Sequence, residues 1–211
     1  MHPDWLSNAY LVADEEGGKG VFVDSGADVE PLLRAAERWR VEPKFVLRTH
    51  SHHDHVEHEH ELGVPVRTSS IEVGALRIEA IPTPGHSDDM VAFVVDGAVF
   101  TGDTLFKDSV GGGDYEAVRR SVMDVLLALP DDTRVLPGHA DETTIGRERE
   151  QNPFVRYWRG LGELGEACTV AGEEATLVVW SPDYDGKGKA LVRYPGGREV
   201  IVGGSRVKRT A

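Results

Sequence analysis

Apolar residues fall mostly in short alternating runs, with stripes of helical spacing at a few places. Ala9–Val12 and Val21–Asp24 predict two strands, and Asp14–Gly18 the hairpin turn between them. Asp28 predicts a helix cap, with Val29, Leu32, Leu33, Ala36 and Trp39 on one stripe and Pro43 as the stop. Phe45–Leu47 and Val64–Arg67 read as strands, and Glu72–Ile81 as a hairpin or two short strands. Val91–Val95 and Ala98–Thr101 flank Asp96-Gly97, a hairpin turn dipeptide. Asp114 predicts a second cap, with Val118, Val122, Val125, Leu126 and Leu129 at helical spacing until Pro130. Arg134–Leu136 is a further strand, and Glu148–Leu164 reads as helical on either side of Asn152-Pro153. Strands cluster in two runs, each followed by helix, which predicts sheets covered by helices on their outer faces.

After Gly165 the texture changes. Ala175–Trp180, Lys189–Tyr194 and Arg198–Val202 alternate as three strands, joined by turns at Asp185–Gly188 and Pro195–Gly197. The chain therefore divides into a main body, 1–165, and a small antiparallel β extension, 166–211. Three strands alone are marginal, so the extension is expected to pack on the body or on a partner chain. The basic Arg206–Arg209 stretch reads as a solvated terminus.

The 211 residues suffice for one sizeable core, or a core plus an appendage. No apolar run approaches the ~20 residues of a membrane span, and Met1–Trp5 lacks the pattern of a signal peptide. Cys168 stands alone, which excludes a disulfide framework and a cysteine-rich metal site; it reads as a half-buried thiol in a reducing cytoplasm. A net charge of −13 disfavours nucleic acid as a partner.

Chemistry is concentrated in His50-Ser51-His52-His53-Asp54-His55, directly behind Phe45–Leu47. Of the nine histidines, seven lie between His50 and His86, a density that a merely solvated loop does not require. On an extended segment His50 and His52 point the same way, while Asp54 and His55 follow where the chain turns. That spacing suits two adjacent metal ions better than one, and neutral imidazole with carboxylate is a ligand set for zinc or iron. Three further strands end in a glycine followed by a ligand type: Gly85-His86, Gly102-Asp103 and Gly138-His139. Glycine lets the backbone turn sharply at such a site.

Together these motifs, with Thr101-Gly102-Asp103-Thr104-Leu105-Phe106 and the segment from Thr143 to Phe154, resemble the metallo-β-lactamase superfamily over about residues 5–160. The nearest subgroup is the glyoxalase II-like (hydroxyacylglutathione hydrolase-like) enzymes. The resemblance implies an α+β fold, a four-layer αββα sandwich with the site at one edge. It implies one metal on His50, His52 and His86, a second on Asp54, His55 and His139, and Asp103 between them. It further implies a dinuclear hydrolase in which a bridging hydroxide cleaves a thioester, lactone or related ester, with Asp54 and Asp103 at the catalytic centre. Zinc is the first expectation from the histidine–carboxylate set, with iron or manganese compatible. His53 is not a ligand position of the family and reads as a residue behind the ligands or at the surface.

The sequence departs from the subgroup in places. Val56–Glu61 replaces the Gly-Gly that often follows the Asp-His pair, and reads as a solvated acidic helix turn rather than an extra site at His58 and His60. Ser87–Met90 follows His86. After Phe106 the usual basic loop is cut to Lys107–Gly113, leaving Lys107 as the candidate substrate-binding residue. Four readings compete: a small-molecule thioester or lactone hydrolase, a mononuclear iron persulfide dioxygenase on the same scaffold, a superfamily nuclease disfavoured by the acidic charge, and a non-catalytic binding module. The expected setting is cytoplasmic, away from membranes. The oligomeric state stays open, a dimer being one option.

Overall fold

A computed structural model describes residues 6–162 and 165–210; the readings at Met1–Trp5 and at the helix end Glu163–Leu164 lie outside them. The first sheet runs β1 (Tyr10–Ala13), β2 (Lys19–Val23), β3 (Glu42–Leu47) and β4 (Val66–Arg67), in that spatial order. β1 and β2 form the expected antiparallel hairpin, and the other two pairings are parallel. Helix α1 (Glu30–Arg38) connects β2 to β3; the short α2 (His53–Val56) and a 3-10 turn (Glu59–Leu62) connect β3 to β4.

The second sheet contains β5 (Ile71–Val73), β6 (Leu76–Pro82), β7 (Val91–Val95) and β8 (Ala98–Gly102). A small hairpin, β9 (Leu105–Phe106) and β10 (Ser109–Val110), and helix α3 (Tyr115–Arg120) follow. β11 (Arg134–Pro137) and β12 (Thr143–Thr144) complete the sheet, in the order β12-β11-β8-β7-β6-β5. Helices α4 (Ile145–Gln151) and α5 (Pro153–Trp158) are hinged at Asn152, whose side chain caps α5.

Alternation along the strands explains the layering. Val21 and Val23 face inward with Leu47 and meet Leu76, Ile78, Phe93 and Phe100 of the second sheet. Phe22 faces the other way and packs with Val29, Leu32, Leu33 and Leu62 beneath α1 and the 3-10 turn. On the outer face of the second sheet, Ala92, Val99 and Val135 meet Val118, Val122, Leu126, Ile145 and Phe154 from the helices. Helix, sheet, sheet, helix is the sandwich expected from the sequence.

Three helix boundaries differ from expectation. Val29, not Asp28, is the N-cap of α1; the Asp28 carboxylate accepts from the Glu30 amide one step outside it. The helix ends at Arg38 because Arg40 turns left-handed at φ 55°, which places Trp39 at 48% exposure and leaves Pro43 inside β3. Asp114 caps α3 as expected, accepting from the Ala117 amide at 2.8 Å, but the α-helix itself stops at Arg120. The chain continues as a π turn (Ser121–Val125) and a 3-10 turn (Leu126–Ala128).

The C-terminal sheet has five strands rather than three: β13 (Glu166–Val170), β14 (Glu173–Ser181), β15 (Lys189–Arg193), β16 (Glu199–Gly203) and β17 (Val207–Arg209). The basic stretch expected to be a solvated terminus pairs with β13, Val170 opposite Val207 and Cys168 opposite Arg209. Its charged side chains hide the strand, because the pairing uses backbone groups that no side-chain pattern reports. Cys168 is buried, not half-buried, among Val170, Leu177 and Val192. The opposite face of the sheet, through Val179, Leu191 and Ile201, joins the core under α3, α4 and α5, so the extension packs on the body of its own chain. No helix among the described residues is long and apolar enough to cross a membrane.

Candidate metal centre

The site lies where β3, β6, β8 and β11 end, with the glycines fixing how closely the loops approach. Asp103 follows Gly102, at φ 47°, and a Cβ on Gly138 would lie 2.4 Å from an Asp103 carboxylate oxygen. The parallel pairing of β8 with β11 runs on through the Gly138 amide to the Gly102 carbonyl at 2.8 Å, which sets Asp103 beside His139. Gly26 lets the loop after β2 pass under α2: a Cβ there would sit 1.5 Å from the Asp54 carbonyl oxygen.

All seven expected ligands converge. His50 Nε2 lies 3.0 Å from His52 Nδ1, which lies 2.9 Å from His86 Nε2. His139 Nε2 is 3.4 Å from Asp54 Oδ2, and His55 Nε2 is 3.9 Å from the same oxygen. Asp103 stands between the groups, with Oδ1 3.3 Å from His55 Nε2 and Oδ2 3.4 Å from His86 Nε2 and 3.5 Å from His139 Nε2. Three sets could each hold a cation: His50, His52 and His86; His50, His55 and Asp103; and Asp54, His55 and His139.

The rear nitrogens of His50, His55, His86 and His139 are engaged. Asp24, buried at the end of β2, accepts from the Thr49 amide and hydroxyl at 2.8 Å each and meets His55 Nδ1 at 2.8 Å. His50 Nδ1 meets the Thr49 hydroxyl at 3.1 Å, His86 Nδ1 the Gly112 carbonyl at 3.0 Å, and His139 Nδ1 the Leu6 carbonyl at 3.2 Å. Fixing one ring nitrogen leaves the other as a lone pair facing the centre.

The front atoms are a different matter. His55 Nε2, His139 Nε2 and Asp103 Oδ1 are buried without a hydrogen bond that meets geometric criteria. Such orphaned groups are costly, and a cation is the partner that two imidazole lone pairs and a carboxylate share. Electrostatics agree. Burial opposes charge on His55, yet Asp24 and Asp103 outweigh it and push the imidazole up to about 11. Burial likewise opposes charge on His139, but the facing Asp103 and Asp54 carboxylates push it up to about 9. Burial, with His55 alongside, lowers His50 to about 4. Burial also works against the Asp103 carboxylate, but His139 and His55 hold it well below the usual range. The carboxylates thus demand positive charge, and without cations imidazolium protons supply it.

His53 is exposed on the first turn of α2, and His58 pairs with Glu61 at 2.7 Å. Neither they nor His60 join a metal-type cluster among the described residues. Lys107 pairs with Asp141 at 3.0 Å and borders a cavity of about 250 Å³ also lined by Ala140, Asp183 and Tyr184.

Two important neighbours had no role in the sequence reading. Asp24 carried a weaker signal than Asp103, an acid at a strand end with a glycine two residues after it rather than directly before it. Tyr184 carried none: it comes from the β14–β15 loop and stacks on His139, centroids 3.9 Å apart and planes within 6°.

Comparisons with known proteins point to one superfamily. A profile of the metallo-beta-lactamase superfamily matches residues 64–139. The TTHA1623 protein, solved in a di-iron-bound form, is 31% identical, with 73% of this chain and 98% of that one aligned at a TM-score of 0.62. ETHE1 from Myxococcus xanthus is 29% identical over 71% of this chain and 80% of its own, at a TM-score of 0.64. The hydroxyacylglutathione hydrolase GloC of Haemophilus influenzae is 26% identical over 70% of this chain and 92% of its own. With the fold, the matched profile and a relative above 30% identity covered almost throughout, the chain belongs to the metallo-β-lactamase superfamily.

Proposed function

We propose that this chain is a dinuclear metal-dependent hydrolase acting on a thioester, lactone or related ester. The observation that carries the reading is the convergence of seven ligand-type side chains, with His55 Nε2, His139 Nε2 and Asp103 Oδ1 left buried without hydrogen bonds. In this reading His50, His52 and His86 hold one ion, Asp54, His55 and His139 the other, and Asp103 lies between them. When bound, divalent ions supply water activated near neutral pH and Lewis-acid polarisation of a carbonyl. Asp54 is the more open carboxylate, its side chain 28% exposed against 6% for Asp103, and it orients the attacking water. Two divalent ions outweigh the two carboxylates, so the site stays positive toward an anionic transition state. Zinc is the proposed ion, from a donor set of imidazole and carboxylate without cysteine.

The likeness to GloC supports a hydroxyacylglutathione-like thioester among these substrates. The test is metal content per chain by mass spectrometry, followed by a panel of S-lactoylglutathione, other thioesters and lactones. Two zinc-like ions with ester or thioester hydrolysis supports the proposal, and Asp103→Ala is expected to abolish turnover. Full turnover in that variant sinks it. The likeness to ETHE1 favours one other reading, a mononuclear iron persulfide dioxygenase. A single iron per chain with oxygen uptake on a persulfide would establish that reading instead.

A further inference from the structure

The C-terminal sheet reaches the candidate centre at one ligand. The Tyr184 ring lies flat on His139, and Phe106 stands edge-on to both, 5.9 Å from each centroid. His139 is fully buried, its Nδ1 meeting the Leu6 carbonyl and its ring standing edge-on to His55 at 5.3 Å, so Tyr184 covers one face of a ring already fixed at its rear nitrogen. The loop that carries Tyr184 is anchored rather than free. Ser181 Oγ donates to the Asp108 carbonyl. Lys189 Nζ pairs with Asp183 at 3.1 Å, the side chains only 13% and 6% exposed, and lies 5.7 Å over the Phe106 ring. Among the ring contacts of the described residues, Tyr184 touches none of His50, His52 and His86.

We propose that Tyr184 is a positioning residue through which the C-terminal sheet controls retention of the second ion, at Asp54, His55 and His139, while leaving the first site, His50, His52 and His86, unaffected. The proposal rests on the two-ion reading above. An imidazole stacked face to face cannot turn about its Cβ–Cγ bond without losing the contact, so the stack keeps His139 Nε2 aimed at Asp54 and Asp103. Removing a group that holds a metal ligand in place costs on the order of 10–100-fold in affinity. The aromatic face does this, through its stack on His139; the hydrogen bond at Tyr184 runs from its backbone amide to Asp183 at 3.1 Å.

Stepwise zinc binding against a chromophoric chelator tests it in the wild-type chain and in Tyr184→Ala and Tyr184→Phe. Tyr184→Ala is expected to bind the first zinc normally and the second about 10–100-fold more weakly, with Tyr184→Phe restoring it. Equal affinities in wild type and Tyr184→Ala overturn the proposal alone, as does a Phe variant that behaves like Ala. Parallel weakening of both zinc ions overturns the selectivity. A wild-type chain that takes one ion overturns the two-ion reading and this proposal with it. Should Tyr184→Ala not fold, Tyr184→Leu, which keeps bulk without the flat ring, decides by the same criteria.

Discussion

Asp24 shows how much one side chain behind a site can carry. Its two oxygens accept from the Thr49 backbone and hydroxyl and orient His55, all in a buried setting. Asp24→Ala is expected to reduce zinc affinity by about 10–100-fold and to lower the melting temperature, read by chelator competition and calorimetry. Gly26 is as restrictive: Gly26→Ala forces a methyl into the Asp54 carbonyl, so α2 must shift. Soluble Gly26→Ala protein with full metal content would contradict that. The seven expected ligand positions were legible because each strand ends in glycine or a polar turn followed by a ligand type. Asp24 shares only part of that signature, and a lone acid at a strand end gave no reason to assign it a partner. Tyr184 lay beyond reach, since a stack on a residue far away in sequence exists only after the sheet has docked.

Elements repeat the lesson. The short apolar runs of β2, β7 and β8, buried on both faces, were visible as strands, and so was the Asp96-Gly97 turn, where both residues adopt positive φ. β13 and β17 were not, because short strands with charged residues look like loops until an edge pairs with them. The turn between β9 and β10 is tied down by Glu148 of α4, which is fully buried. It accepts from the Thr143 hydroxyl at 2.6 Å, the Asp108 amide at 2.8 Å and Asn152 Nδ2 at 3.0 Å, and pairs with Arg147 at 2.6 Å. Glu148→Ala leaves these three donors unmatched, while Arg147 keeps both Asp108 oxygens at 2.9 Å, and a loss of about 1–3 kcal/mol is expected from denaturant unfolding. Asp114→Ala removes a helix cap and is expected to cost about 1 kcal/mol in the same measurement.

At the scale of the whole molecule, Glu199 of β16 ties the C-terminal sheet to the helical layer. It accepts from Tyr115 of α3 at 2.5 Å and from Tyr157 of α5, and pairs with Arg193 at 2.9 Å. Burial raises the Glu199 carboxyl, but the two tyrosines and Arg193 outweigh it and hold it below the ordinary range. A group depressed on folding stabilises the protein above its unfolded value, about 4.3, and that contribution disappears as pH falls through the folded value. Glu199→Gln is therefore expected to melt lower at pH 7 and to lose less on going from pH 5 to pH 3 than the wild type. An identical pH dependence of the two melting curves would count against this clamp.

The position of the seven converging groups has a mechanical consequence. They sit on four loops that lie far apart along the chain, so any cation lodged among them stitches the two halves of the sandwich together at one rim. Chelation then unpicks a seam as well as silencing a reaction centre. Stability should track free metal concentration by mass action, with the rim loops becoming the first part of the body to exchange their amide hydrogens.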